Sequence, residues 1–131
     1  MINYVTEKQF TERKTEVENE IEVESDSLEV DVYDNGEIDG DMVSLFYNQQ
    51  LILYNQKLTH KSIKIGVKLD PSLEANEITM FAENLGLIPP NTALMVIRDG
   101  KNVFNIRLSS TLEKNASIKI KRKKDNTKKP G

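Results

Sequence analysis

Apolar and polar residues alternate with a period of two along most of the chain. Ile21 and Val23 alternate with Glu20, Glu22 and Glu24, and Leu28, Val30 and Val32 alternate with Glu29, Asp31 and Tyr33. The clearest case is Ile63, Ile65, Val67 and Leu69 set against Ser62, Lys64, Gly66 and Lys68. Ile78, Met80 and Ala82 face away from Thr79, Phe81 and Glu83. The pattern returns at Phe104–Leu108 and at Ile118–Lys121. Successive side chains of a strand point to opposite faces, so each segment predicts a strand with one face on a core and one in water.

Three further runs are apolar on both faces: 42–47, 51–54 and 93–97. They read as central strands covered from both sides. Asn48-Gln49-Gln50 and Asp99-Gly100-Lys101 are short enough to close hairpins, while Pro71, Gly86 and Pro89-Pro90-Asn91 mark longer connections. Helical signals are sparse. Thr6–Glu18 reads as an extended or loosely helical lead-in, and 71–75 has room for one helical turn. No repeat of 20–50 residues is visible, which excludes solenoids and propellers.

About eight or nine short strands with almost no helix predict an all-β fold, a two-sheet β-sandwich of jelly-roll or immunoglobulin-like type. A closed barrel is the alternative. The expected organisation is a lead-in or linker over 1–19, a sandwich over 20–122 and a basic tail over 123–131. At 131 residues the chain suits one domain, long enough to hold a core without staples.

Composition narrows the chemistry. The chain has no Cys and one His. Disulfides, thiol catalysis, thiolate metal sites and multi-histidine cages are therefore excluded. No apolar run approaches the ~20 residues of a membrane-spanning helix. The first ten residues, MINYVTEKQF, contain no signal-like apolar stretch, so any such signal is expected to have been removed or never present.

The net charge of −3 hides a segregated pattern. Residues 12–41 hold thirteen acidic side chains against Arg13 and Lys14, whereas 114–131 hold eight basic ones against Asp125. A basic terminus is one signature of nucleic-acid contact. Here the chain is not basic overall and no aromatic residues interleave with the lysines, so nucleic acid is not an expected partner.

The most loaded segment is Asp34-Asn35-Gly36-Glu37-Ile38-Asp39-Gly40-Asp41. Clustered carboxylates repel one another, and glycines at 36 and 40 permit positive φ, so oxygens can converge there. A hard cation such as Ca²⁺ takes six to eight such oxygens, which makes Asp34, Glu37, Asp39 and Asp41 candidate ligands. The spacing is not that of an EF-hand, and the flanks are strands. Asp, Asn and Gly also serve as plain turn residues, a sufficient alternative account. The same carboxylates could in principle form a hydrolytic pair, although no apolar pocket to raise one pKa is evident.

Glu83, Asn84 and Asn91 bracket a proline-stiffened connection and form a candidate ligand rim at one end of the sandwich. Turn chemistry alone, a rigid turn joining two strands, already explains these residue types. Tyr33, Phe46, Tyr47 and Tyr54 lie near strand ends, where an exposed ring could stack on a sugar. His60 sits in a polar connection without a nucleophile elbow beside it, and Ser109-Ser110-Thr111 reads as a turn after a strand. The six glycines are dispersed and form no phosphate loop.

The string YDNGEIDGDMVSLFYN (33–48), then LT at 58–59, FAENLGLIPPNTALMVIRDG (81–100) and RLSS at 107–110, resembles a family of uncharacterised bacterial secreted or envelope-anchored domains over about residues 20–120. The resemblance implies an extracytoplasmic location and assigns no catalytic residues. More loosely, DGDMVSLFYN followed by NEITMFAEN looks like galactose-binding-like jelly rolls, domains that often bind carbohydrate and carry structural Ca²⁺. That likeness is at the level of fold only. Together these readings lead to the expectation of a non-enzymatic binding or adhesion module, carbohydrate-binding with Ca²⁺ in the acidic loop. The alternative is a structural or assembly domain of a cell-envelope protein. The expected partners are a glycan or an envelope protein.

Overall fold

A computed structural model describes residues 4–34, 40–84 and 91–123. One helix, α1 (Tyr4–Glu12), precedes nine strands: β1 (Lys14–Val23), β2 (Ser27–Tyr33), β3 (Met42–Tyr47), β4 (Gln50–Lys57) and β5 (Ile63–Lys68). The remaining four are β6 (Asn76–Ala82), β7 (Asn91–Asp99), β8 (Asn102–Ser110) and β9 (Lys114–Arg122). They form a five-stranded sheet in the order β1-β9-β6-β3-β4 and a four-stranded sheet in the order β5-β2-β7-β8. The chain is a two-sheet β-sandwich, as the alternation implies.

Val30, Val32, Met95 and Ile97 from one sheet meet Val43, Leu45, Ile78, Met80, Ile118 and Ile120 from the other, all excluded from solvent. Every second residue of β2, β3, β6, β7 and β9 supplies this layer. At roughly 25 cal/mol per Å² of apolar area, such burial is the main favourable term in folding. All described strand pairs are antiparallel except the first and last, β1 and β9, which run parallel from Lys14↔Lys114 to Val23↔Arg122.

The turns follow their residue types. Asn48 and Gln49 both have positive φ (48° and 71°), the conformation that a two-residue hairpin between right-twisted strands requires. Gly100 (φ 58°) serves the β7–β8 hairpin, and Gly40 takes φ 84° at the end of the acidic segment.

Four features differ from the sequence expectation. The lead-in is not loose: 4–12 is helical and the first strand starts at Lys14, not near residue 20. Thr6 and Phe10, four apart on one helix face, turn towards the sheet. Segment 51–54 is not a central strand, because β4 lies at a sheet edge. Its Leu53 packs on the core while Leu51 packs against Phe10, Phe46 and Phe81 on the outer face, so both sides are apolar for different reasons. Segment 71–75 forms turns and bends and no helix. Finally, β5 also lies at an edge, leaving Ile63 and Ile65 half-buried while Val67 is buried.

Among the described residues no helix is long and apolar enough to cross a membrane.

Candidate functional site

The described ends of the segments singled out in the sequence, Asp34, 40–41, 58–59, 83–84 and Asn91, lie at one end of the sandwich, where β2, β6 and β8 finish and β3, β7 and β9 begin. The Asp34 N–H donates to the Thr59 carbonyl at 2.9 Å, and the Leu58 N–H donates to the Asp41 carbonyl at 2.9 Å. The Leu58–Thr59 stretch is thereby clasped by both ends of the acidic segment. His60, next in line, is exposed.

Two carboxamides join the acidic segment to the β6–β7 connection. Asn84 Oδ1 accepts from the Met42 N–H at 2.9 Å, and Asn84 Nδ2 donates to the Gly40 carbonyl at 3.3 Å. Asn91 Nδ2 donates to the Met42 carbonyl at 3.3 Å and to the Asn84 carbonyl. The Glu83 N–H also donates to the Met42 carbonyl, at 2.8 Å. An Asn side chain offers two donors and an acceptor to backbone that is outside a ladder, which is why these positions carry Asn.

Asp34, Asp41 and Asn91 are buried, at 3%, 2% and 0% exposure. Among the described residues no donor reaches the buried acceptor Asn91 Oδ1. Two buried carboxylates and a carboxamide oxygen at one end are oxygen donors of the type a hard cation takes. Among the described residues no three His, Cys, Asp or Glu side chains converge as metal ligands. Glu37 and Asp39, the other two candidate ligands, lie outside the described residues.

Glu83 is placed differently from Asn84 and Asn91. Its carboxylate accepts from Thr6 Oγ1 at 3.2 Å and from Ser44 Oγ, under α1 and not at an open rim. Ser44 Oγ accepts in turn from the Asn55 N–H at 2.8 Å. Arg13 lies beside Glu83 with its guanidinium 3.8 Å from the centre of the Phe81 ring, and donates to the Ala82 carbonyl at 2.7 Å. Burial lowers the Arg13 pKa, while the Glu83 charge acts to raise it. Asn115 Nδ2 donates to the Phe10 carbonyl at 3.2 Å, satisfying one of the last open carbonyls of α1. Thr6, Arg13, Ser44 and Asn115 carry no sequence signal for this role, because their partners are 39 to 105 residues away.

The aromatics divide. Phe46 is buried under α1, Tyr47 donates its hydroxyl to the Lys68 carbonyl at 2.8 Å, Tyr33 is half-buried, and Tyr54 is 44% exposed on β4. Ser110 is buried in β8, and Thr111 Oγ1 accepts from the Glu113 and Lys114 N–H groups as a turn cap.

The opposite end is held by Asp99 and Asn76. Asp99 accepts from the Glu24 and Ser25 N–H groups, each at 2.8 Å. Asn76 Oδ1 accepts from the Asp70 N–H at 3.0 Å and from Asn48 Nδ2 at 2.8 Å. These contacts anchor turns.

Comparison with known proteins finds no matching family model, no matching curated protein and no matching solved structure, so the motifs and the end of the sandwich they build are interpreted from their own chemistry.

Proposed function

We propose that the chain is a non-enzymatic, extracytoplasmic binding or adhesion module whose ligand face is the end of the sandwich bearing Asp34, Asp41, Asn84 and Asn91. The observation that supports this best is the pair of carboxamide clasps. Asn84 and Asn91 tie the Gly40–Met42 backbone to the two ends of the β6–β7 connection, so the ends of two connections are fixed side by side on the sheets, and loops set on a rigid scaffold are where binding function commonly lies. The compartment rests on the resemblance to secreted and envelope-anchored domains.

Carbohydrate is the proposed ligand class, because carboxamides and carboxylates supply the polar pairing that a polyol needs. Ca²⁺ is the proposed stiffener. Asp34, Asp41 and the Asn91 carboxamide oxygen would contribute to holding it, with Glu37 and Asp39 as further candidate ligands. The ion would supply positive charge that relieves repulsion between carboxylates. The ligand test is a glycan array probed with the whole chain, with Ca²⁺ and with chelator. Hits that persist in salt and fade with Asn84→Ala support the reading, and an empty array under both conditions contradicts it.

A further inference from the structure

Each sheet has two outer strands, and β1 of one sheet and β5 of the other carry opposite charge. β1 and β8 border one flank, where Glu18 Oε1 accepts from the Ser109 N–H at 3.0 Å. β4 and β5 border the other. Among the described residues neither β1 nor β5 is paired along its outer side. β1 carries Glu16, Glu18, Glu20 and Glu22 against Lys14 within the strand; from β9, Lys114 pairs with Glu16 and Glu18 at 3.6 and 3.5 Å, and Lys121 pairs with Glu20 at 2.7 Å. From residue 42 to residue 69 the chain has no acidic side chain, while Lys57, Lys61, Lys64 and Lys68 fall on or between β4 and β5. Of these four, Lys64 alone has an ion-pair partner among the described residues, Asp31 at 3.2 Å.

We infer that the β1 edge of one copy receives the β5 edge of another, continuing the five-stranded sheet of the first into the four-stranded sheet of the second. The side-chain phases match. In the lower half of β1, Ile21 and Val23 turn to the core while Glu20 and Glu22 turn out; in β5, Ile63, Ile65 and Val67 turn in while Lys64 and Lys68 turn out. Ile21, Ile63 and Ile65 pack on the core yet remain half-open at their edges. Strand addition would cover them and set Glu20 and Glu22 beside Lys64 and Lys68 on one outer surface.

Charge on an edge strand ordinarily blocks edge-to-edge pairing. Here it blocks the symmetric pairings, since two β1 edges would oppose Glu to Glu and two β5 edges Lys to Lys. The mixed pairing is left favourable. Such a contact is head-to-tail: the copy that uses its β1 edge keeps β5 free, the copy that uses its β5 edge keeps β1 free, and the assembly is open-ended unless it closes into a ring. This goes beyond the loop-end proposal and does not depend on it.

The test is sedimentation velocity on the full chain from micromolar to millimolar concentration, in low and high salt. Wild type should form a concentration-dependent series of species that collapses as salt screens the contact. Glu20→Lys with Glu22→Lys should remain monomeric alone, as should Lys64→Glu with Lys68→Glu, because each leaves both edges with one sign. Mixed in equal amounts, the two variants should associate again. Thermal melts establish that each is folded; if a reversal unfolds the chain, Lys64→Gln with Lys68→Gln should weaken association in its place. Hydrogen exchange should slow at 19–23 and 63–68 on association. A wild type that stays monomeric at millimolar concentration in low salt, a symmetric dimer that stops at two, or association untouched by these substitutions would overturn the inference.

Discussion

Phe10 stacks on Phe46, with ring centroids 3.8 Å apart and planes inclined by 8°. The contact joins a residue of α1 to one on the outer face of β3, and Phe81 of β6 completes the cluster edge-on to Phe46 at 6.1 Å. The helix is thus a lid over apolar residues that the sandwich would otherwise expose. Phe46→Ala should destabilise the fold by about 3–5 kcal/mol, the range for truncating a buried aromatic. Phe10→Ala should cost less, because its ring is at the margin (9% exposed). Urea unfolding of both variants checks the order, and near-equal losses would show that the cluster does not depend on Phe46 as its centre.

A second prediction concerns acid. Arg98 and Lys64 both pair with Asp31, and the Arg98 hydrogen bond leads in holding its carboxyl below the ordinary aspartate range. At Asp99, burial pushes the pKa up, but hydrogen bonds from Ser25, Glu24 and Asn102 outweigh it and leave the net shift downward. A carboxylate with a lower pKa folded than unfolded stabilises the native state at pH values above the unfolded value, about 3.9 for Asp, and that contribution is lost as pH falls through the folded value. Stability should therefore decline below about pH 4, and Asp99→Asn should flatten the decline. Equal slopes for wild type and variant in urea titrations between pH 2 and about 5 would contradict this role.

The carboxamide clasps predict non-additive losses. Asn91→Ala removes a fully buried side chain that donates to the Asn84 and Met42 carbonyls and should cost about 1 kcal/mol or more. Asn84→Ala removes the bonds to Met42 and Gly40. Because the two side chains meet on Met42, the double variant should lose less than the two single losses combined, as measured by a double-mutant cycle. Strict additivity would mean that the clasps act independently.

Much of this architecture is legible in the chain, and the exceptions have physical causes. Alternation locates β2, β5, β6, β8 and β9, since each of these strands sets one face on the core. It fails at β1 because of a bulge. Pairing shifts between Val17 and Asn19, so Val17 keeps the odd-number phase of Ile21 and Val23 in sequence yet lies on the opposite face, 42% exposed. The helix is hard to read from sequence because, among the described side chains, Phe10 is the only large apolar residue on its buried face, with Thr6 and Arg13 making other contacts through polar groups. Strand β4 reads as central from sequence because apolar Leu51 and Leu53 bury against different clusters, one of which includes Phe10 of α1. At the candidate site, Asn84 and Asn91 flank the connection between β6 and β7, at the end of one strand and the start of the next. Nothing in local spacing could turn Glu83 towards Thr6, 77 residues away.

The most direct test of the loop-end proposal is thermal unfolding of the whole chain as CaCl₂ is raised from chelator to millimolar concentration. Binding at a hundredfold excess over Kd stabilises the native state by about 2.7 kcal/mol, which for a chain of this size raises Tm by roughly 8–12 °C. Tm should rise in this way in wild type, and the rise should vanish in the variant carrying Asp39→Ala and Asp41→Ala. A wild-type melting temperature that stays unchanged through millimolar Ca²⁺ would contradict it.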